Sequence, residues 1–147
     1  MIKGDQVLLA MKKRGFGAGK WNGVGGKLKE GETVEGAAQR EIQEEIGVEV
    51  ELQDIKAVGT LRFDFVDNPG WANFCHVFTI AHWRDEPTES EEMRPQWYAF
   101  DKIPFGEMWV DDPHWLPLVL AGKKVKGEFL FDKTGGSMMD FSVVEIE

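Results

Sequence analysis

The chain has 147 residues, 42% of them hydrophobic and 12% aromatic, which excludes a disordered polypeptide and fits a single domain, residues 1–147, with its own core. Seventeen Lys and Arg against 26 Asp and Glu leave a net charge of −9, a sign that repels phosphate backbones and argues against nucleic-acid polymers as partners. Cys75 is the only cysteine, so neither a disulfide framework nor a Cys-rich zinc centre is available. The opening Met1-Ile-Lys-Gly-Asp-Gln lacks a secretory pattern. The apolar runs 7–11 and 116–121 fall far short of the roughly 20 residues that span a bilayer. A soluble, monomeric protein of the cytoplasm, with no membrane partner, is expected.

In chain order, residues 6–11 read as a buried strand. Between 14 and 31 lie seven glycines, with Phe16, Trp21, Val24 and Leu28 among them. That mixture suits backbone brought close to a ligand better than a flexible linker, which seldom carries so much apolar mass. A helix over 33–46 follows, with Thr33 as N-cap and Gly47 at the C′ position. Strand-like runs occupy 48–52, 57–66, 74–83 and 96–100, and Asp67-Asn68-Pro69-Gly70 reads as a hairpin connection. Asp112-Pro113 opens a second helix to about residue 121, with Asp112 as N-cap, before closing strands over 127–131 and 138–146. Strands on either side of two helices give an α/β or α+β domain with a mixed sheet.

The first helix is unusual in where it puts its charge. At about 100° per residue, Glu41, Glu44 and Glu45 share the sector of Val34, Ala37 and Ala38 rather than the opposite face. Like charges at these spacings destabilise a helix, and partial burial adds a desolvation cost. A hard divalent cation with oxygen ligands removes both penalties. An acidic solvated face, with Arg40 paired to Glu44 four residues on, accounts for the same pattern, and helical geometry leaves the two open.

A longer pattern contains those acids. Gly26, five residues, Glu32, seven residues and then Arg40-Glu41-Ile42-Gln43-Glu44-Glu45-Ile46-Gly47-Val48 resembles the Nudix box at every fixed position, residues 26–48. A Walker phosphate loop is absent, since Gly26-Lys27 is followed by Leu28. The flanks are similar to those of the oxidised purine nucleoside triphosphate hydrolases: 11–23 at the entry, Glu92-Met93-Arg94-Pro95 with Trp97, and 103–112, with likeness continuing to Phe131 and Asp140-Phe141.

The resemblance implies the Nudix fold, a mixed sheet between helices. It also implies magnesium- or manganese-dependent cleavage of a small nucleotide such as 8-oxo-dGTP or 2-hydroxy-dATP to the monophosphate and pyrophosphate, a role in nucleotide-pool sanitation and DNA repair. By the same resemblance Glu41, Glu44, Glu45, Glu92 and the Gly25 carbonyl hold metal, and Glu45 stands closest to the activated water. Lys12 and Lys27 meet phosphate, while Asn22, Asp111 and Asp112 read the purine edge. Trp109, Phe16 and Phe63 stack on the base or wall its pocket, and Arg40 orients Glu44. Trp97 and Trp115 are packing residues, and His76, His82 and His114 have no role. Asp112 as a simple cap beside a solvated Asp111 is the competing account of that pair. Other Nudix substrates (ordinary nucleotides, dinucleoside polyphosphates, nucleotide sugars) and a non-catalytic nucleotide-binding module are the competing functions. Three departures stand out: little chain precedes residue 6 to form the further strand with which relatives begin, the loop 67–73 with Trp71 differs, and Val24 stands for a bulkier residue.

Overall fold

A computed structural model describes the whole chain, Met1–Glu147. It divides into two compact units, Met1–Lys56 with Thr79–Met108, and Ala57–Phe78 with Trp109–Glu147. In the first unit β2 (Gln6–Lys12) is the organising strand. Its Val7, Leu8, Leu9 and Ala10 are all buried, so both faces of the strand are covered. β1 (Ile2–Lys3) and β3 (Trp21–Asn22) pair with opposite ends of β2, and β6 (Met93–Ala99) pairs with its full length from Gln6↔Ala99 to Lys12↔Met93. Every pairing in this sheet is antiparallel. The short segment before residue 6 does form a strand, a two-residue one, because Gly4 turns the chain at φ +60°.

α1 (Val34–Ile46) packs against β6. The Thr33 hydroxyl accepts from the Gly36 N–H at 3.0 Å, and Gly47, at φ +69°, donates its N–H to the Gln43 carbonyl. Thr88 then caps the same end from another segment: its N–H and hydroxyl both donate to the Ile46 carbonyl, at 2.8 and 3.2 Å. The strand expected over 48–52 is reduced to an isolated bridge, Glu49↔Arg84, followed by a 3-10 turn at Leu52–Asp54. Val48 and Val50 alternate into the core as a strand would, but the facing backbone offers one pairing residue.

In the second unit β4 (Ile55–Phe65) and β5 (Asn73–Ile80) are neighbours, followed in the sheet by β7 (Lys124–Phe131) and β8 (Met138–Ile146), in the order β5-β4-β7-β8. β4 and β7 run parallel while β7 and β8 run antiparallel, which makes this sheet mixed. The strand expected over 74–83 thus ends at Ile80. β7 alternates strictly, burying Val125, Gly127, Phe129 and Phe131. α2 (Asp112–Leu120) packs on β7, with Val119 joining Val58 and Val125. The expected N-cap moves by one residue: Asp111 occupies that position without a side-chain cap, and Asp112 lies in the first turn. The class is α+β, as the order of elements implied. No helix is long and apolar enough to cross a membrane.

Candidate active site

The acids of α1 are held by an arginine. Arg40 donates from Nε and Nη2 to the two oxygens of Glu32 at 2.8 and 2.9 Å, from Nη1 to Glu41 at 2.6 Å and Glu44 at 3.2 Å, and from Nη2 to the Lys27 carbonyl at 3.1 Å. Such a fork of charge-assisted bonds suits a guanidinium and not an ammonium. It pulls the Glu32 carboxyl down to about 2, helped by the Lys29 N–H, and raises Arg40 itself. Gly26 packs directly on this group. A Cβ there would sit 2.5 Å from the Glu41 carboxyl carbon, so the position leaves no room for a side chain.

Glu45 is different. It is 8% exposed, and its Oε2 is buried without a hydrogen-bond partner. Burial, then Glu41, then the Glu92 charge push its carboxyl up to about 8, against a hydrogen bond from the Gly25 backbone. The three acids of one helical sector therefore separate: Glu45 is buried, Glu41 mostly so at 16% side-chain exposure, and Glu44 half exposed. The solvated-face account fails for Glu45 and Glu41 and holds for Glu44 alone.

Glu45 opens on a cleft of about 410 Å³ whose lining includes Glu92, Lys12, Arg14, Asn22 and Gly25. Glu92 reaches it on a segment tied down at several points. Lys13 donates its N–H to the Glu92 carbonyl and its ammonium to the Ser90 carbonyl and Glu89, and the Ser90 hydroxyl accepts from Glu92 and Met93. Arg14 meets Glu92 at 3.2 Å. Phe16 and Lys27 are not among the lining residues; Phe16 is 60% exposed, and Lys27 supplies its carbonyl to Arg40. Arg14, which the motif did not single out, is the guanidinium of this cleft; its one sequence signal was the run Lys12-Lys13-Arg14.

No three acids or histidines are gathered as a finished metal site, and Arg40 engages Glu41 and Glu44. The donor chemistry nevertheless fits a hard divalent cation: carboxylate oxygens, one of them orphaned and crowded by like charge, which a cation relieves.

In the second unit Asp111 and Asp112 are 4% and 3% exposed, which excludes a solvated pair. Asp111 accepts from the Trp115 indole N–H at 2.9 Å, so Trp115 anchors this acid besides packing in the core. Burial raises the Asp111 carboxyl. The Cys75 thiol is pushed up to about 11, first by burial and then by the charges of Asp111 and Asp112. Phe63 stacks on Phe129 at 5.4 Å and leans on Phe131, so it belongs to an aromatic cluster. Asn22 accepts from the adjacent Gly23 N–H. His114 is exposed and lies 4.2 Å from the Phe141 ring.

Residues 1–119 match the family model described as NUDIX domain. The chain is 46% identical over 147 residues to the mouse protein named oxidized purine nucleoside triphosphate hydrolase, covering all of this chain and 92% of that one. It is 48% identical over 131 residues to the zebrafish (Danio rerio) protein of the same name, covering 89% and 82%. Among solved structures it resembles a mutator MutT protein from Bacillus halodurans, with a TM-score of 0.83 at 23% identity and 97% and 92% coverage. A MutT NUDIX hydrolase from Burkholderia pseudomallei aligns with a TM-score of 0.64 at 29% identity, over 71% of this chain and 81% of that one.

Proposed function

The chain belongs to the Nudix hydrolases, a family that works with divalent metal ions, and on that premise we propose that it hydrolyses oxidised purine nucleoside triphosphates to a monophosphate and pyrophosphate. The buried, partnerless carboxylate oxygen of Glu45 is the observation that carries this reading. A buried acid with one oxygen left unpartnered and a raised affinity for protons is costly to keep unless it handles a cation or a proton.

In this reading Glu45, Glu41, Glu44, Glu92 and the Gly25 carbonyl hold magnesium, with manganese as a substitute. The bound cation supplies charge neutralisation and a more acidic water. Glu45 accepts the proton of the attacking water. Arg40 holds Glu41 and Glu44 in register through Glu32 and gives no proton, since its own acidity is lowered further by its partners. Lys12 and Arg14 meet phosphate oxygens from the cleft wall, and Asn22 faces the same cleft. Asp111 and Asp112 read the purine edge. One of a buried acid pair retains its proton more readily than an exposed acid would, so the pair offers both a donor and an acceptor. The protein acts as a monomer of one domain, in the cytoplasm, on free nucleotides.

Initial rates with magnesium on 8-oxo-dGTP, 2-hydroxy-dATP, dGTP and diadenosine polyphosphates test the assignment. The oxidised purines are expected to give the highest kcat/KM. Equal efficiency on dGTP and 8-oxo-dGTP would remove the sanitising role and leave a general Nudix pyrophosphohydrolase.

A further inference from the structure

The loop 132–137 joins β7 to β8 and carries more order than a surface connection needs. Asp132 accepts on one carboxylate oxygen from the Thr134 N–H at 2.9 Å, the Thr134 hydroxyl at 2.7 Å and the Gly136 N–H at 3.1 Å. Its N–H donates to the Ser137 carbonyl at 2.8 Å, and its carbonyl accepts from Gly135 at 3.1 Å. A second loop is tied to this one, because the Asn68 side-chain amide donates to the Lys133 carbonyl at 2.7 Å.

The turn wound in this way dips inward at one residue. Gly135 is buried while Lys133, Thr134 and Gly136 are exposed, and it holds φ +78°, which disfavours any residue with a Cβ. A Cβ built there would lie 3.2 Å from Phe65 Cε2 and 3.7 Å from Trp109 Cζ3. A side chain at this position would therefore meet two rings at once. Phe65 is held from its other sides by Phe131, stacked at 5.2 Å, and by Trp71, edge-on at 5.5 Å. Little room is left for the Phe65 ring to absorb a push.

We propose that Gly135 is a positioning residue for base selectivity: the Asp132-wound turn sets a residue without a side chain beside Trp109 and so fixes how far that ring stands into the purine site. The proposal rests on the reading of Trp109 as a ring that meets the base. Purines need that ring at a set depth, and a smaller pyrimidine is less sensitive to it. The readout is thus a ratio between bases and not overall activity.

The experiment compares KM and kcat for 8-oxo-dGTP and for dCTP in the wild type, Trp109→Ala, Gly135→Ala and Asp132→Ala, each with a thermal melt. Asp132→Ala releases the turn without adding bulk, so it carries the test if Gly135→Ala does not fold. The expected result is a rise of roughly tenfold in KM for the purine, the scale of one methylene misplaced in a pocket, with kcat within about twofold and little change for dCTP. If Trp109→Ala collapses the purine preference while the folded Gly135 and Asp132 variants keep it, this proposal is overturned and the base-site reading stands. If Trp109→Ala keeps the preference, the base-site reading fails and the proposal falls with it. A loss confined to kcat, equal for both bases, also overturns it.

Discussion

Glu45 and Cys75 show how burial sets the chemistry of single residues in this protein. Glu45→Gln preserves shape and replaces a crowded buried acid by a neutral amide, so the metal-free melting temperature is not expected to fall, while turnover drops by at least about a hundredfold as proton chemistry is lost. Near-normal rates in that variant would place the base elsewhere. Cys75, raised to about 11, stays a thiol at pH 8, and only the thiolate attacks alkylating agents. Its labelling by iodoacetamide at pH 8 should be more than about tenfold slower in the native protein than after unfolding in urea. Comparable rates would show that neither partial burial nor the charges of Asp111 and Asp112 hold the thiol protonated. Gly26 makes a third case. Adding a methyl group 2.5 Å from the Glu41 carboxyl must displace that acid, so Gly26→Ala should weaken manganese binding roughly tenfold or more in an electron paramagnetic resonance titration. The spacing of residues 26–48 made the acids legible in the sequence. It did not make Gly26 or Glu32 legible as physical parts, because their roles exist only once the loop before α1 lies against the helix. Arg14 was hidden for another reason: three successive cations are equivalent until the backbone turns Lys12 and Arg14 to the cleft and leaves Lys13 to Ser90 and Glu89.

At the scale of elements, α1 was read within a residue at both ends, since its signals are local: a Thr N-cap and a left-handed glycine. Thr33→Ala removes the hydroxyl that accepts from Gly36 and should cost about 1 kcal/mol in urea unfolding with an unchanged slope. The segment 48–52 was misread because alternation of Val48 and Val50 records burial, whereas a strand also needs a partner along its length. At α2 the expected cap, Asp112, falls in the first turn, and Asp111 at the cap position accepts from the Trp115 indole in place of capping. The tie between the loop and α1 has its own pH signature. Glu32 is held near 2, below the roughly 4.3 of an unfolded glutamate, so its stabilising effect is complete above that value and is lost as pH falls towards 2. Thermal melts between pH 5 and 3 should therefore decline more steeply in the wild type than in Glu32→Gln. Parallel declines would mean that the Arg40 clamp contributes nothing to folding.

For the molecule as a whole, composition and element order were enough for the α+β class. The division of strands into one antiparallel and one mixed sheet was not legible, because pairing between β2 and β6 or between β4 and β7 joins residues more than 50 positions apart. A strand before residue 6 was not expected, because two residues carry no periodicity. Chelation tests the balance of charge across the molecule. Treatment with EDTA should abolish nucleotide cleavage yet leave a cooperative melt, and restored magnesium should raise the melting temperature. Unfolding on chelation would show that Arg40 does not suffice to hold the acids. That arginine, already seated between Glu32, Glu41 and Glu44, is a built-in counterion. On the proposed function, a freshly synthesised chain is therefore expected to reach its native shape during a shortage of divalent ions and stand ready. Mineral supply would then govern when the catalyst works, and not whether it survives.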